Sequence, residues 1–434
     1  MSTLDHDLAA VRNAISKKQP FITGTHPLTD NSGLFFFRTG GGTGAHCIDL
    51  ANADDASLQV LLEACQPAPF GIDNKDVLDE TYRKAWKMDN SNFATRLDVV
   101  NTGILDCIRS MLMQGNKNKK IRPEMYKLNV YGPGSFFKAH KDTPRGENMF
   151  GSLVVVFPTR HEGGALQLRH KGQEWTFDSA AITSTQDVPS IAYVAFYGDV
   201  EHEVSMVTSG YRVTLTYNLY FDDTSSKPGP IYSWMKEDEL ALRTSLSALL
   251  DHRDLLPDGG YLGFGLEFMY PVARGTIRGL INSLKGSDAM IKLVLEQLNL
   301  KPQVKIIYED NEDAYPAGHH YGDDQPPLKR PHIMLDDEDE LPDWETEEPF
   351  RISIPEGGHG IVICGADEVG EYSDYGHEVL RAKKVLWVTP QMTFTSLKSP
   401  YVAYGNEASL GFTTLVGYVW MISDNGAPEC RIGS

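Results

Sequence analysis

Two His-x-Asp triplets stand in this sequence, His140-Lys141-Asp142 and His252-Arg253-Asp254. Residues two apart on extended chain point to the same side. Such a triplet can therefore offer an imidazole and a carboxylate to one metal ion. An oxygen-activating mononuclear iron site needs one more ligand, a second histidine, with the opposite face of the ion left open. With 13 histidines in 434 residues, about one such triplet arises by chance at ordinary composition. Context has to separate the two.

The segment before His140, "KLNVYGPGSFFKA", reads as a strand and a tight turn at Gly132-Pro133-Gly134. Downstream, "FYGDVEHEVSMVTSGYRVTLTYNLY" supplies His202 on one predicted strand. Arg212 follows on the next, beyond a turn expected at Ser209-Gly210. An antiparallel pair of that kind brings Arg212 near the site. His252 instead closes a helix-like run, "ALRTSLSALLDHRD", and reads as a surface helix end. The later His377 has Leu386 and Trp387 where a basic residue would be needed.

His140-x-Asp142, His202 and Arg212, in that order, resemble the 2-oxoglutarate- and Fe(II)-dependent dioxygenase superfamily, and its prolyl 4-hydroxylase-like branch above all. "VYGPGSFFKAHKDTP", "GGALQL" and "VEHEV…GYRVTLTYNLYF" are similar to consecutive strands of that branch, over about residues 120–222. The whole chain resembles a group of fungal proteins of this type. It also resembles two-part members in which a catalytic jelly roll precedes a related non-catalytic one.

The resemblance implies that His140, Asp142 and His202 bind Fe(II), and that Arg212 pairs with the distal carboxylate of 2-oxoglutarate. A guanidinium fork matches a carboxylate bidentately and keeps its charge. Tyr131 stands where the branch places a phenol for the same carboxylate, and Thr214 lies two residues past Arg212 on the same strand face. O2 is the co-reactant, and ascorbate is expected to stimulate. The implied reaction oxidises 2-oxoglutarate to succinate and CO2 while hydroxylating an unactivated C–H bond. A protein or peptide substrate is expected, prolyl targets included. A small-metabolite oxygenase and a non-enzymatic β-sandwich binding module are the alternatives.

Short strands must position these residues. "MYKLNVY", "SLVVVFP", "GALQLRH", "IAYVAFYG", "HEVSMVT" and "YRVTLTYNLYF" follow one another, separated by Gly-rich turns that include Gly163-Gly164. The pattern predicts an α+β protein built on a double-stranded β-helix, or jelly roll, with flanking helices. Residues 1–120 form an N-terminal helical and strand region packing on the core, and 121–222 the catalytic core. Residues 223–434 form a second α+β unit, for which the resemblance implies a degenerate jelly roll. In "GILDCIRSMLMQG", Ile104, Leu105, Ile108, Met111 and Leu112 make one apolar helical stripe. "GGGTGAH" lacks the ending of a phosphate loop and reads as a hairpin turn.

Net charge is −19, of which residues 309–348 carry −13, with 15 acids against Lys329 and Arg330. That Pro- and Gly-rich stretch reads as a mobile acidic loop. Such acidity disfavours a nucleic-acid partner. Against a demethylase of nucleic acid, Asn218 also stands where a second arginine would follow Arg212. The five cysteines, Cys47, Cys65, Cys107, Cys364 and Cys430, are scattered without a C-x-x-C, which argues against disulfides and zinc. No apolar run is long enough to span a membrane, and the N-terminus lacks the apolar block of a signal peptide. A cytoplasmic or nuclear protein is expected.

Overall fold

The computed structural model describes residues 2–15, 18–29, 31–39, 44–72, 75–116, 119–146, 148–222, 235–257, 260–270, 281–307, 332–333, 361–363, 368–372, 379–389 and 418–424. The fold is α+β, and the described residues divide into two compact units. One lies within Lys18–Tyr232, and the other joins Met1–Lys17 to the described residues from Ser233 on.

Two antiparallel sheets build the first unit. The larger orders its strands Phe21–Pro27, Ser190–Tyr197, Met149–Val156, Arg212–Asp222, Lys120–Tyr131, Trp86–Asp89 and Gln66–Pro67. The smaller orders Gln173–Phe177, Leu166–His170, Glu201–Val204, Phe136–His140 and Arg83–Lys84. From Lys120 on, the chain crosses back and forth between the two sheets, which is the winding of a double-stranded β-helix. The sheets do not close into a barrel.

The strand that is apolar at nearly every position, "SIAYVAFY", is buried throughout and lies inside the larger sheet. Helix Ile104–Leu112 buries Ile104, Ile108 and Leu112 against that sheet's Phe21–Pro27 and Lys120–Tyr131 strands. Met111, expected in the same stripe, is exposed. Leu34–Arg38 and Ala45–Asp49 pair antiparallel, and residues 40–43 of the Gly-rich run between them, expected as a hairpin turn, lie outside the described residues.

Ser209-Gly210 is not the turn that the sequence suggests. It lies in a short strand, Val207–Gly210, paired with His161–Gly163. Gly210 has φ +69° and passes so close to Arg160 that a Cβ would meet its carbonyl oxygen at 2.1 Å. The His202 and Arg212 strands consequently belong to different sheets and are not a hairpin pair.

The second unit packs helix Thr3–Ala14, capped reciprocally by Ser2 and Asp5, against helix Met235–Leu250. It has a further helix, Gly286–Gln297, and a mixed sheet in which Tyr261–Gly265 runs parallel to Val379–Thr389 and antiparallel to Tyr418–Asp424. The acidic stretch 309–348 lies outside the described residues except for His332–Ile333. No described helix is long and apolar enough to cross a membrane.

Candidate metal centre

His140 is the last residue of its strand, and His202 lies on the adjacent antiparallel strand, directly opposite in register. Their rings are 4.2 Å apart between centroids. Asp142 follows two residues past the strand end, and its Oδ1 lies 3.8 Å from His202 Nε2. One ligand atom from each of the three residues falls within 4.8 Å of the others. Among the described residues this is the one group of three or more such side chains.

Each imidazole is oriented by its own backbone. His140 Nδ1 donates to the Lys138 carbonyl at 2.8 Å, and His202 Nδ1 to the Val200 carbonyl at 3.1 Å. A carbonyl can only accept, so the proton sits on Nδ1 and the lone pair of Nε2 is left for a metal. Burial, reinforced by His202 beside it, holds His140 neutral, well below the usual imidazole range. Phe137 stacks on His140 at 3.7 Å and Phe196 lies 4.7 Å from His202. Asp142 accepts a short hydrogen bond from the Ser152 hydroxyl. Two imidazoles with Nε2 turned to one point and a held carboxylate make a donor set that fits Fe(II).

Arg212 approaches the same cavity from the larger sheet. It is 1% exposed, and among the described residues neither its Nε nor its Nη2 has a hydrogen-bond partner. Burial draws its pKa down to about 10, so it remains protonated at neutral pH. A buried guanidinium without an anion is costly, and the cavity it faces is where an anion would fit. Tyr131 is its cross-strand partner, with the guanidinium carbon 5.5 Å from the ring centroid. Thr214 lines the cavity beside it and donates weakly to the Asn129 carbonyl at 3.4 Å. The orphaned donors of Arg212, with a phenol and a hydroxyl nearby, fit the distal carboxylate of 2-oxoglutarate.

The cavity, about 60 Å³, brings together all six residues expected from sequence: Tyr131, His140, Asp142, His202, Arg212 and Thr214. It also holds residues that sequence reasoning missed. Lys127, Asn129 and Tyr131 stand at every second position of one strand, opposite Thr216, Thr214 and Arg212 of the next. Arg83 is 4% exposed and donates to the Pro69 carbonyl and to Asn129 Oδ1. Its guanidinium lies 4.3 Å from the Phe137 ring. The available signal was the polar alternation itself, K-x-N-x-Y against R-x-T-x-T-x-N.

Gly164, read from sequence as turn chemistry alone, is also part of the site. It sits at φ +70°, and its missing Cβ leaves room for the Arg212 side chain. His252, by contrast, lies far along the chain in the other unit. Both nitrogens of its ring are engaged: Nδ1 accepts the Asp254 N–H and Nε2 meets the Thr3 hydroxyl at 3.0 Å. It is half-buried rather than a free surface side chain.

Residues 126–220 match the family model of the 2OG-Fe(II) oxygenase superfamily. Solved structures similar to this chain include a prolyl-4-hydroxylase from Pseudomonas putida, 18% identical, covering 49% of this chain and 98% of that one, with a TM-score of 0.28. A prolyl hydroxylase from Trichoplax adhaerens, in complex with a hypoxia inducible factor oxygen degradation domain peptide fragment, is 13% identical over 51% of this chain and 94% of that one, TM-score 0.31. Prolyl 4-hydroxylases from Phytophthora capsici are represented at 16% identity, 57% and 79% coverage, TM-score 0.22. No curated protein matches the sequence. The 126–220 region is a 2-oxoglutarate/Fe(II) oxygenase domain, and its family implies Fe(II) and 2-oxoglutarate.

Proposed function

We propose that this oxygenase domain is a 2-oxoglutarate-dependent hydroxylase of an unactivated C–H bond, with His140, Asp142 and His202 holding Fe(II) and Arg212 holding 2-oxoglutarate. The observation that carries the reading is the orphaned guanidinium of Arg212, buried and facing the same cavity as the three metal-ligating side chains. With iron and cosubstrate bound, the site couples decarboxylation to oxygen transfer: R–H, 2-oxoglutarate and O2 become R–OH, succinate and CO2.

The chain's own residues do the positioning. The Lys138 and Val200 carbonyls fix both Nε2 lone pairs toward the ion. Ser152 holds one oxygen of Asp142, leaving the other for the metal. Tyr131 and Thr214 lie beside Arg212 to complete the carboxylate pocket. Phe137, Phe196, Leu166 and Val204 form an apolar wall that limits water at the reacting atoms.

A protein or peptide, prolyl targets included, is the substrate class that the family likeness favours. A small metabolite is the second reading, favoured by the small cavity. Succinate formation is the test, measured with Fe(II), 2-oxoglutarate and ascorbate against panels of peptides and metabolites. Succinate above the iron-free background is expected even before the best substrate is found. Its absence from every mixture, with iron bound, would leave a non-enzymatic binding module.

A further inference from the structure

Resting on the reading above, we infer that Arg83 is a positioning residue for the iron ligand His140, acting through the Phe137 ring that lies between them. The Phe137 and His140 rings stack with centroids 3.7 Å apart and planes 25° from parallel. The Arg83 guanidinium carbon lies over the same Phe137 ring, 4.3 Å from its centroid. One face of a phenyl ring has room for one planar group so close to its centre, so the cation and the imidazole take opposite faces. Arg83 and Phe137 are 4% and 3% exposed, and a cation on a ring is held more firmly where water is excluded.

The backbone is shaped to make this column. Residues three apart on a regular strand point to opposite sides, and Phe137 and His140 are three apart. Between them the register shifts: Lys138 and Ala139 stand against the single Glu203 of the neighbouring strand. Such a bulge re-aims the side chain that follows, here bringing His140 back to the Phe137 side. Tyr82 pins the bulge twice, its carbonyl accepting the Lys138 N–H and its hydroxyl donating to the Ala139 carbonyl, each at 3.0 Å. Arg83, the next residue, is the cross-strand partner of Phe137. Its fork is fixed from elsewhere, donating to the Pro69 carbonyl at 2.7 Å and to Asn129 Oδ1 at 3.0 Å, and Asn129 belongs to the larger sheet. The column therefore ties a metal ligand on one sheet to an anchor on the other. Arg83 Nε–H has no acceptor among the described residues. An apolar side chain would fill the place without that cost, so packing alone does not account for an arginine.

The test uses the full chain titrated with Co(II), whose visible absorption reports the number and angles of its ligands, and measures affinity by competition with a chelating dye. Arg83→Met should shift the Co(II) bands and weaken binding about tenfold, the lower end of what lost outer-shell partners cost. Phe137→Leu should do the same. Because Arg83 acts through the ring, Arg83→Met should add nothing further in the Phe137→Leu background. Arg83→Lys keeps a cation but not the planar fork, so its effect should lie between parent and Arg83→Met. A lowered melting temperature in Arg83→Met with unchanged bands and affinity would make Arg83 a link between sheets only and overturn the inference. Full additivity with Phe137→Leu would overturn it as well. If Arg83→Met does not fold, Arg83→Lys and Phe137→Leu decide, and unchanged bands and affinity in both overturn it. A parent that binds no Co(II), or whose bands survive His140→Ala, overturns instead the metal-site reading on which the inference rests.

Discussion

Gly164 and Arg212 share one space. A Cβ at Gly164 would lie 2.8 Å from Arg212 Cδ, at a backbone φ of +70° that L side chains rarely adopt. Gly164→Ala should therefore move the guanidinium and add left-handed strain of about 1–2 kcal/mol. The strain lowers folding stability, while the displaced guanidinium should weaken 2-oxoglutarate binding by roughly tenfold, about 1.4 kcal/mol. Metal affinity should stay within error, because no ligand touches Gly164. A 2-oxoglutarate titration of the Zn(II) form reads the effect, and an unchanged affinity would detach Gly164 from the pocket.

Arg212 itself supports a prediction with two opposite signs. Removing one partner of a desolvated charge pair costs about 2–5 kcal/mol, so Arg212→Met should weaken 2-oxoglutarate binding by roughly 30- to 3000-fold. The ligand-free protein should become more stable, since the substitution deletes a buried cation that has no anion among the described residues. Thermal melts with and without 2-oxoglutarate test both halves. A variant that loses stability without ligand would mean that Arg212 is held by the fold rather than by the cosubstrate.

How much of this was legible in the sequence depends on the kind of contact. His140, His202 and Arg212 could be found because each sits at a strand position flagged by period-2 patterning and turn residues, and Asp142 because it follows two residues past a strand end. The partner relationship between the His202 and Arg212 strands could not. The intervening Ser209-Gly210 has turn chemistry, yet it extends a strand that pairs with His161–Gly163. The alternation R-V-T-L-T-Y-N-L normally reads as a polar face toward water. Here both faces are covered, and Arg212, Thr214 and Asn218 are as buried as Val213 and Leu215. Arg83 meets Asn129 across 46 residues of chain from a two-residue strand, which no local pattern announces.

Ser152 is the residue that holds Asp142, as the hydroxyl donor to its Oδ2. Ser152→Ala should leave the fold intact and lower metal affinity by about 10- to 100-fold, the range typical of lost outer-shell partners. Competition with a metal-sensitive chelating dye measures it. An unchanged affinity would show that the strand-end geometry alone orients the carboxylate.

His161 gives a pH dependence whose sign can be worked out. Burial lowers its pKa below the ordinary 6.5, with the Arg212 charge as a smaller contribution in the same direction. The unfolded chain therefore takes up a proton as pH falls through 6.5 while the folded chain resists it, and stability is lost below that pH. Above 6.5 both states are neutral at this site and the effect vanishes. His161→Gln should flatten part of the stability loss between neutral pH and about pH 5, as read by denaturant midpoints. Parallel curves for parent and variant would assign the acid sensitivity elsewhere.

The two His-x-Asp triplets can be set directly against each other. His140→Ala, Asp142→Ala and His202→Ala each remove one of three clustered donors. His252→Ala removes instead a side chain bonded to Thr3 and to the Asp254 N–H, in the other unit. Two such hydrogen bonds are worth about 1–2 kcal/mol together, so this variant should melt slightly earlier. In this superfamily, Fe(II) with 2-oxoglutarate gives a weak visible charge-transfer band under anaerobic conditions. The band should persist in the His252 variant and disappear from the other three. All four should retain the far-ultraviolet signature of the parent, because the core rests on buried strand faces such as Ser190–Tyr197 and not on the metal. Loss of the band with His252→Ala, together with its survival in His140→Ala, would place the metal at the His252-Arg253-Asp254 triplet instead.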